Sequence, residues 1–388
     1  MSDGRRLLFY SHNGVGVGHV HRQLKLATAY RRHAPDAAVL LVTGSHAAGT
    51  LEWPPGVDYL KLPSIRMIDR YENWEPREVG VSIKRLMRLR SDLIRQAVRR
   101  FRPDLLVADF MPAGPYGELL PALTELAVRG GRAVAGFRDI VDDPEFVRDL
   151  WARTGVYDVL REHYAGVCVY GAREVVDYEA EYGLTTAVAP HLAYSGYLAP
   201  SAVPAQCEQR PLVVCTTGGG VDGGSVIAAF LAAAELLHAE VGGTWLAVTG
   251  PLLDEAEHQR LSELAGAGGV EVRRSIPDLP GVLAAADAVV AMTGYNTSCQ
   301  LLSARAPAMV VPRAGPSQEQ RLRAARLAAW GAAKVVDPDE ASGERIAAGI
   351  AAMLAGERPP RAPVALDGLE RAVQFFDDVA AGAPLEAR

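Results

Sequence analysis

The stretch RLLFYSHNGVGVGHVHRQLKLA, residues 6–27, decides the fold of the first part of the chain. Its apolar run predicts a buried strand and its amphipathic end predicts a helix, so the glycines between them form a strand-to-helix turn. Gly14, Gly16 and Gly18 are spaced G-x-G-x-G, and His19 stands where the dinucleotide-binding fingerprint needs its third glycine. The next apolar run ends in VTGSH, without an acidic residue to bind a ribose hydroxyl. The pattern disfavours a nicotinamide enzyme and predicts a histidine delivered at a helix N-terminus.

Short apolar runs alternate with helical patterns along the whole chain, which is typical of parallel sheets covered by helices. In the first half the runs lie at 6–10, 38–43, 58–62, 105–109, 132–137 and 167–171. After a Pro- and Ala-rich stretch at 198–211 they restart at 212–217, 245–250, 270–274, 288–292, 308–312 and 333–336. The sequence therefore predicts an α/β protein with two tandem Rossmann-like, doubly wound domains facing a cleft, where such sheets bind ligands. We expect the domains at 1–200 and 201–365, with a helical segment at 366–388 that could pack back on the first.

Composition and charge limit the kinds of partner. The 388 residues are 49% hydrophobic and carry a formal charge of −6 without a basic field, which argues against a nucleic-acid partner. Four scattered cysteines suggest neither a disulfide framework nor a zinc site. The N-terminus lacks a signal-like segment and the apolar stretch 226–237 is too short to span a bilayer, so we expect a cytoplasmic protein without a transmembrane segment. The basic stretch 84–102 is interpreted as a solvated helix face, with weak peripheral membrane contact as the alternative. The oligomeric state stays open.

A second glycine loop follows the first apolar run of the second domain. In CTTGGGVDGGSVIAAFLAAAELL, residues 215–237, Gly218, Gly219 and Gly220 leave backbone N–H groups open, and a helix follows with its positive end. Such a turn is suited to an anion such as a diphosphate. It lacks the Lys-Ser/Thr ending of a P-loop. The alternative is a glycine-rich turn that binds nothing.

A third informative stretch covers residues 291–336. One helix should start near Asn296 and another after SQEQ, so that their N-termini, with Gln300, Glu319 and Gln320, could hold the hydroxyls and phosphates of a sugar nucleotide. The alternative is a structural role in capping the helix, because Ser317 followed by Gln320 matches a capping box. The two roles are compatible.

Displacing a nucleoside diphosphate from the anomeric carbon of a sugar needs the hydroxyl of a second molecule, the acceptor, as the nucleophile. A histidine that titrates near neutrality is suited to take the proton of that hydroxyl. His19 is our first candidate base, with Asp109, at the tip of the run LLVAD, as the group that orients it. His12 on the same loop is the competing base. For His19 the alternative role is capping or phosphate binding, and for Asp109 it is capping a turn.

Two further acidic segments need an interpretation. The segment DPD at 337–339 resembles a metal-binding Asp-x-Asp, but Asp followed by Pro is a helix-start signal, so we predict no metal. The segment RDIVDD at 138–143 follows a strand, and we expect Arg138 and Asp139 on the acceptor side. The alternative is an ion pair that holds a loop.

The three segments FYSHNGVGVGHVHRQLKLA, FRDIVDDPEFVRDLW and GYNTSCQLLSARAPAMVVPRAGPSQEQRLRAARLAAWG together resemble a bacterial family of predicted glycosyltransferases. That family is similar to the N-acetylglucosaminyltransferase that completes lipid II, of glycosyltransferase family 28. The resemblance implies a GT-B fold, with the acceptor mainly on the N-terminal domain and a nucleotide-sugar donor, UDP- or dTDP-linked, mainly on the C-terminal one. It implies no separate cofactor.

Carried over by position, the resemblance assigns roles to individual residues. The glycine–histidine pair of the first loop falls on Gly18 and His19, and the diphosphate-binding turn falls on Gly218, Gly219 and Gly220. The remaining donor-side positions are Ile276 for the base, Thr293 and Gly294 for phosphate, Gln300 for ribose, and Glu319 and Gln320 for sugar hydroxyls. Gln300 departs from the family's glutamate, and an uncharged amide there could change the ribose affinity or the base preference.

The residues and the resemblance together favour a glycosyltransferase that moves a sugar from a nucleoside diphosphate to a small-molecule or cell-envelope acceptor. The absence of a carboxylate nucleophile motif favours an inverting displacement, and phosphates held by backbone dipoles favour metal independence. Two alternatives stay open. One is a sugar-nucleotide 2-epimerase, and the other is a non-catalytic protein that kept the donor site.

Overall fold

The structure of the protein, a computed structural model, describes residues 4–12, 16–189 and 191–383. The chain forms two compact units. One contains the residues up to Leu198 together with those from Asp367 onward, and the other is Ala199–Leu366. Each unit is built on a parallel sheet whose strands are connected by helices, so the predicted α/β class with two Rossmann-like units is confirmed.

The first unit carries a seven-stranded sheet in the order β3-β2-β1-β6-β7-β8-β9, in which every neighbouring pair is parallel. The strands of the first unit, including two outside this sheet, are β1 Arg6–Ser11, β2 Ala38–Thr43, β3 Val57–Lys61, β4 Ile65–Met67, β5 Trp74–Pro76, β6 Leu105–Asp109, β7 Arg132–Arg138, β8 Gly166–Tyr170 and β9 Leu192–Tyr194. Strands β4 and β5 form a separate antiparallel hairpin. The helices are α1 Gly18–His33, α2 Ile83–Phe101, α3 Leu120–Val128, α4 Pro144–Arg153, α5 Val156–His163 and α6 Tyr178–Tyr182.

The second unit carries a six-stranded parallel sheet in the order β12-β11-β10-β13-β14-β15. Its strands are β10 Leu212–Thr216, β11 Thr244–Val248, β12 Val270–Arg273, β13 Ala288–Ala291, β14 Ala308–Val310 and β15 Lys334–Val335. Its helices are α7 Gly224–Val241, α8 Glu255–Gly268, α9 Leu279–Ala285, α10 Tyr295–Ala304, α11 Glu319–Ala329 and α12 Gly343–Leu354.

The central strands are buried along their whole length, as expected for strands covered on both faces. Every residue of β6, β8 and β10 is buried. The second unit's core combines β10, β11 and β13 with the apolar faces of α7 and α12, including Ile227, Phe230 and Ile350. Burial of this kind explains why the strands appear in the sequence as continuous apolar runs.

The chain returns to the first unit through its last helix, α13 Gly368–Ala381. Tyr30 on α1 donates its hydroxyl hydrogen bond to Oδ1 of Asp377 at 2.8 Å, and Arg5 forms an ion pair with the same carboxylate. The ring of Phe376 meets that of Phe9 edge-on, with centroids 6.2 Å apart. These contacts anchor α13 beside β1 and α1.

Two helices bear on membrane contact. Helix α7 extends over 18 residues and is long and apolar enough to cross a membrane by length and composition, so the expectation from the shorter stretch 226–237 was wrong on length. Its residues Ile227, Phe230 and Ala233 are nevertheless fully buried in the core of the second unit. Helix α2 presents most of its arginines to solvent, as predicted, but Arg90 is fully buried and pairs with Glu118.

Candidate functional site

Both sheets reverse their strand order beside their first strand, and the candidate residues gather there. In the first unit β1 lies between β2 and β6, and in the second β10 lies between β11 and β13. Open α/β sheets bind ligands outside the carboxyl ends of the strands at such a switch point. His12, His19 and Asp109 follow or end β1 and β6, whereas the glycine loop and α10 follow β10 and β13.

His19 and Asp109 form a close pair across this point of the first sheet. Nδ1 of His19 lies 2.5 Å from Oδ2 of Asp109, and Asp109 is fully buried whereas the His19 side chain is 14% exposed. Two acceptor atoms would repel each other at that distance, so a proton on Nδ1 must join them. The neutral ring then has its lone pair on Nε2, which is the tautomer that a general base requires.

Arg22, one turn after His19 on α1, contacts both members of this pair. It was not predicted as a site residue from the sequence. Its Nε and Nη2 each donate to one oxygen of Asp109 at 2.8 Å, and Nη2 lies 3.0 Å from Nδ1 of His19. The arginine is 2% exposed. In the sequence, an arginine on an amphipathic helix suggests a solvent-exposed face. Its burial here goes together with its pairing to a carboxylate 87 positions away.

Burial and the neighbouring charges shift the pKa values of Asp109 and His19. Burial alone would raise the pKa of Asp109, but the charge of Arg22, the electrostatic interaction with His19 and the hydrogen bonds from both residues lower it below its usual range. For His19, burial lowers the pKa, the Asp109 carboxylate opposes that effect, and Arg22 and Arg138 add to the lowering. The net effect is a pKa of His19 below its ordinary value, which favours the neutral ring.

His12, the competing base, has a different environment. It is 3% exposed, and its Nδ1 is buried without a hydrogen-bond partner among the described residues. Burial, followed by the neighbouring charge of His19, lowers the pKa of His12 well below 6.5. The two rings are 4.7 Å apart, so His12 packs against His19, which is the more exposed and the better oriented of the two.

Phe110 lies beside the histidine pair in a left-handed backbone conformation, φ 67°. Its ring centroid is 5.2 Å from that of His19 and 6.0 Å from that of His12. The guanidinium carbon of Arg138 lies 4.6 Å from the same ring, which places this predicted acceptor-side residue near His19. A non-glycine residue at positive φ is uncommon and marks a position that the surrounding structure imposes.

Asp139, the other predicted acceptor-side residue, is 1% exposed. Its Oδ2 accepts a hydrogen bond from the hydroxyl of Tyr197 at 3.0 Å, and its Oδ1 accepts from the backbone N–H of Ile140 at 2.8 Å. Nε of Arg138 donates to the Ile140 carbonyl at 3.1 Å. Asp139 therefore holds the loop after β7 through these hydrogen bonds, whereas the alternative predicted from the sequence was an ion pair.

The first glycine loop lies partly outside the described residues, since Gly14 falls in the segment 13–15. Gly16 has φ +70°, a conformation that L side chains rarely adopt. Gly18 is the first residue of α1, and its successor His19 lies in the first turn of that helix. This arrangement agrees with the predicted delivery of a histidine at a helix N-terminus.

The second glycine loop forms a tight turn after β10. Gly218 and Gly220 have φ +67° and +91°, and a Cβ on Gly220 would lie 2.3 Å from the carbonyl oxygen of Thr249. The Gly219 carbonyl accepts a hydrogen bond from the N–H of Leu252 at 3.0 Å. Only glycine fits this turn, because two positions need positive φ and one has no room for a side chain.

The start of α10 adjoins this turn. A Cβ on Gly218 would lie 3.0 Å from Oγ1 of Thr297, in the first turn of α10. Helices α7 and α10 have Gly223 and Gly294 as N-cap residues, which have no side chain to occupy the first N–H groups. The site therefore has two neighbouring helix N-termini whose dipoles favour an anion.

Other predicted donor-side residues lie on or before α10. Asn296 and Gln300 are on its first two turns and partly exposed, whereas Thr293 is fully buried. The Thr293 hydroxyl donates to the carbonyl of Gln320 at 2.8 Å, so it joins α10 to α11. Ile276 lies partly exposed in the loop between β12 and α9.

The predicted capping box at the start of α11 was wrong. The helix begins at Glu319 with Gln318 as its N-cap, and the Ser317 hydroxyl accepts from the Glu319 N–H at 3.3 Å. Oε1 of Gln320 instead accepts from the backbone N–H of Arg313 at 3.1 Å. With its oxygen used in this way, the Gln320 amide can offer a ligand its NH2 group as a donor.

The acidic segment at 337–339 behaves as the helix-start interpretation predicts. Oδ1 of Asp337 caps a short 3-10 turn by accepting from the N–H of Asp339, and Oδ2 pairs with Arg321 at 2.7 Å. In the described part of the chain no three His, Cys, Asp or Glu side chains are grouped to hold a metal ion.

Comparison with known proteins agrees with the two-unit architecture. Residues 213–367 match the glycosyltransferase family 28 C-terminal domain. A relative from Paenarthrobacter aurescens (strain TC1) is 29% identical over 344 residues, which cover 85% of this chain and 83% of the relative. That relative is named UDP-N-acetylglucosamine--N-acetylmuramyl-(pentapeptide) pyrophosphoryl-undecaprenol N-acetylglucosamine transferase.

Two solved structures are similar over nearly the whole chain. The calicheamicin glycosyltransferase CalG4 aligns with a TM-score of 0.58 and 16% identity, covering 98% of this chain and 94% of its own. MurG of Acinetobacter baumannii aligns with a TM-score of 0.55 and 13% identity, covering 96% and 99%. At such identities the likeness concerns the fold alone.

Proposed function

Because residues 213–367 match the glycosyltransferase family 28 C-terminal domain and the chain is a glycosyltransferase of the GT-B fold, we propose that it transfers a sugar from a UDP-sugar to an acceptor hydroxyl, with His19 as the general base. The observation that carries the proposal is the 2.5 Å contact between Nδ1 of His19 and Oδ2 of Asp109. It gives His19, the more exposed of the two neighbouring histidines, the tautomer that accepts a proton at Nε2.

Several features support a nucleoside-diphosphate donor on the second unit. The turn at Gly218 and Gly220 and the N-termini of α7 and α10 offer backbone N–H groups and positive dipole ends to a diphosphate. Gln300 and the amide of Gln320 can donate hydrogen bonds to hydroxyls of the ribose and sugar, and Glu319 can accept them. The Paenarthrobacter relative carries UDP-N-acetylglucosamine in its name, and we therefore place UDP first among donors, with dTDP second.

The proposed reaction is a single displacement. The acceptor hydroxyl gives its proton to Nε2 of His19 while its oxygen forms a bond to the anomeric carbon, and the bond from that carbon to the diphosphate oxygen breaks. The imidazolium that forms is stabilised by the Asp109 carboxylate, and the UDP that leaves carries the electron pair of the broken bond. This course inverts the anomeric configuration.

We further propose that no metal ion is needed, since backbone dipoles can hold the leaving diphosphate, and that the protein acts in the cytoplasm with at most peripheral membrane contact. Turnover that persists in excess chelator is the expected result for the first point. Loss of turnover on chelation, restored by magnesium or manganese, would contradict it.

A two-step experiment tests the proposal. The unfolding midpoint is first measured with UDP, dTDP and GDP, because a ligand at a hundredfold excess over its Kd raises the free energy of unfolding by about 2.7 kcal/mol. The matching sugar nucleotide, beginning with UDP-N-acetylglucosamine, is then incubated with and without a panel of acceptors while UDP release and product mass are followed.

Acceptor-dependent UDP release with a product heavier by one sugar residue is the predicted outcome. An epimer formed from the sugar nucleotide alone would instead identify a 2-epimerase. Binding without turnover over the whole panel would identify a non-catalytic binding protein.

A further inference from the structure

An arginine that the sequence did not single out lies beside the glycine turn of the second unit. Arg313 follows β14, and its Nη2 lies 2.6 Å from Oδ2 of Asp222. Asp222 belongs to the loop between β10 and α7, two residues after Gly220. The ion pair therefore connects the glycine turn to the loop that leads into α11.

The guanidinium of Arg313 has a buried N–H that bears on ligand binding. Nε of Arg313 is buried and has no hydrogen-bond partner among the described residues, although buried donors are almost always paired. The ion pair of Arg313 with Asp222 is weak, since the two side chains are 31% and 43% exposed to solvent. The Nε–H of Arg313 is thus available as a hydrogen-bond donor, and its ion pair with the Asp222 carboxylate can be replaced by contacts with water.

The backbone of Arg313 is fixed at the same time. Its N–H donates to Oε1 of Gln320 at 3.1 Å, on the first turn of α11. Gln320 is 6% exposed and its own carbonyl is bonded to Thr293. The side chain of Arg313 can therefore change partner while its point of attachment stays beside the predicted sugar-binding residues.

We propose that Arg313 binds the diphosphate of the donor, and that Asp222 holds the guanidinium in the ligand-free protein and competes with the phosphates for it. The inference rests on the nucleoside-diphosphate donor of the proposed function. An arginine fork matches phosphate oxygens and forms stronger, charge-assisted hydrogen bonds than neutral donors do. It supplies the cation that the glycine turn lacks in comparison with a P-loop, whose lysine reaches the phosphates.

The proposal predicts that substituting Arg313 and substituting Asp222 change the UDP affinity in opposite directions. If the ion pair were purely structural, the two substitutions would not have opposite effects. Arg313→Gln should weaken UDP binding by about 10- to 100-fold, the loss expected for a charge-assisted hydrogen bond, and leave the binding of uridine unchanged. Asp222→Asn should tighten UDP binding by about two- to fivefold, because the exposed pair no longer has to break. Calorimetry of the full-length protein with UDP and with uridine measures both.

The chain contains a matched control. Arg321 and Asp337 form an ion pair at 2.7 Å with exposures of 33% and 41%, in the same unit. Arg321→Gln should leave the UDP affinity unchanged, and the unfolding midpoints of the variants should agree. Equal UDP affinity in Arg313→Gln and the wild type, or weaker binding in Asp222→Asn, would overturn the inference alone. A wild type that binds none of UDP, dTDP and GDP would overturn the proposed donor together with it.

Discussion

Asp109→Asn is the substitution whose effect the structure defines most closely. The carboxylate accepts from both Nε and Nη2 of Arg22 and from Nδ1 of His19. An amide has one acceptor oxygen and one donor nitrogen, so in either orientation its NH2 group opposes an N–H of Arg22. If NH2 also faces His19, the ring must hold its proton on Nε2 and can no longer accept one there. If the oxygen faces His19, the tautomer survives but the negative charge that stabilises the imidazolium is lost.

Both orientations lower turnover, and both leave Arg22 as an uncompensated buried cation. We expect kcat to fall by about 10²- to 10⁴-fold, the range for a base with a lost or misdirected orienting group. We expect the free energy of unfolding to fall by about 3–5 kcal/mol, the cost of breaking a buried pair. The assays are UDP release at saturating substrates, well below the unfolding midpoint, and chemical denaturation.

Glu118→Gln separates the two effects. Glu118 is 2% exposed and accepts from both Nε and Nη2 of Arg90 at 2.6 Å, so the same change is made in a comparable buried pair. It should show a similar loss of stability with kcat reduced by less than about threefold, since a buried charge pair alone affects stability rather than proton transfer. If Asp109→Asn and Glu118→Gln gave the same kcat, the assignment of Asp109 as the orienting group would be refuted.

Three further perturbations follow from the same contacts. Arg22→Met removes a positive charge beside His19, so the pKa of His19 should rise and the acid limb of the kcat/KM profile should move to higher pH, whereas Arg32→Met on the exposed side of α1 should not move it. His12 has a folded-state pKa well below that of the unfolded chain, so the unfolded state binds more protons below about pH 6.5 and stability falls as the pH is lowered. Between pH 7 and pH 5 this histidine contributes up to about 2 kcal/mol of that fall, and His12→Phe should reduce it in denaturation measured at both pH values. Gly220→Ala should weaken UDP binding in calorimetry because its Cβ would meet the Thr249 carbonyl at 2.3 Å; an unchanged affinity would remove the turn from the donor site.

Most of the sheet could be predicted because buried parallel strands are continuous apolar runs. The predicted run 105–109 coincides with β6, and 38–43 coincides with β2. The hairpin of β4 and β5 was missed because each strand has three residues and one contains Pro76, so no period can be detected. The three-residue strand β9 was missed for the same reason.

The site could be predicted only where a local signal marks it. Glycines and a histidine after an apolar run indicate a ligand-binding turn, and Asp109 at a strand end could be paired with His19 because both lie at the carboxyl edge of one sheet. Arg22 and Arg313 carry no such signal, since their partners, Asp109 and Asp222, are distant in sequence. Ser317 and Gln320 gave a misleading one, because Gln320 bonds to the backbone of Arg313 instead of capping the helix.

The most direct measurement of the central claim is the turnover of His19→Ala beside that of His21→Ala, with the donor affinity of each measured separately. His21 lies on the same helix, half-buried, and burial lowers its pKa to about 4, so it is a matched histidine without the Asp109 contact. We predict that His19→Ala lowers kcat by about 10²- to 10⁴-fold with an unchanged donor Kd, and that His21→Ala stays within about threefold of the wild type. Near-wild-type kcat in His19→Ala at saturating substrates would contradict the account, and a loss confined to His12→Ala would transfer the role of base to His12.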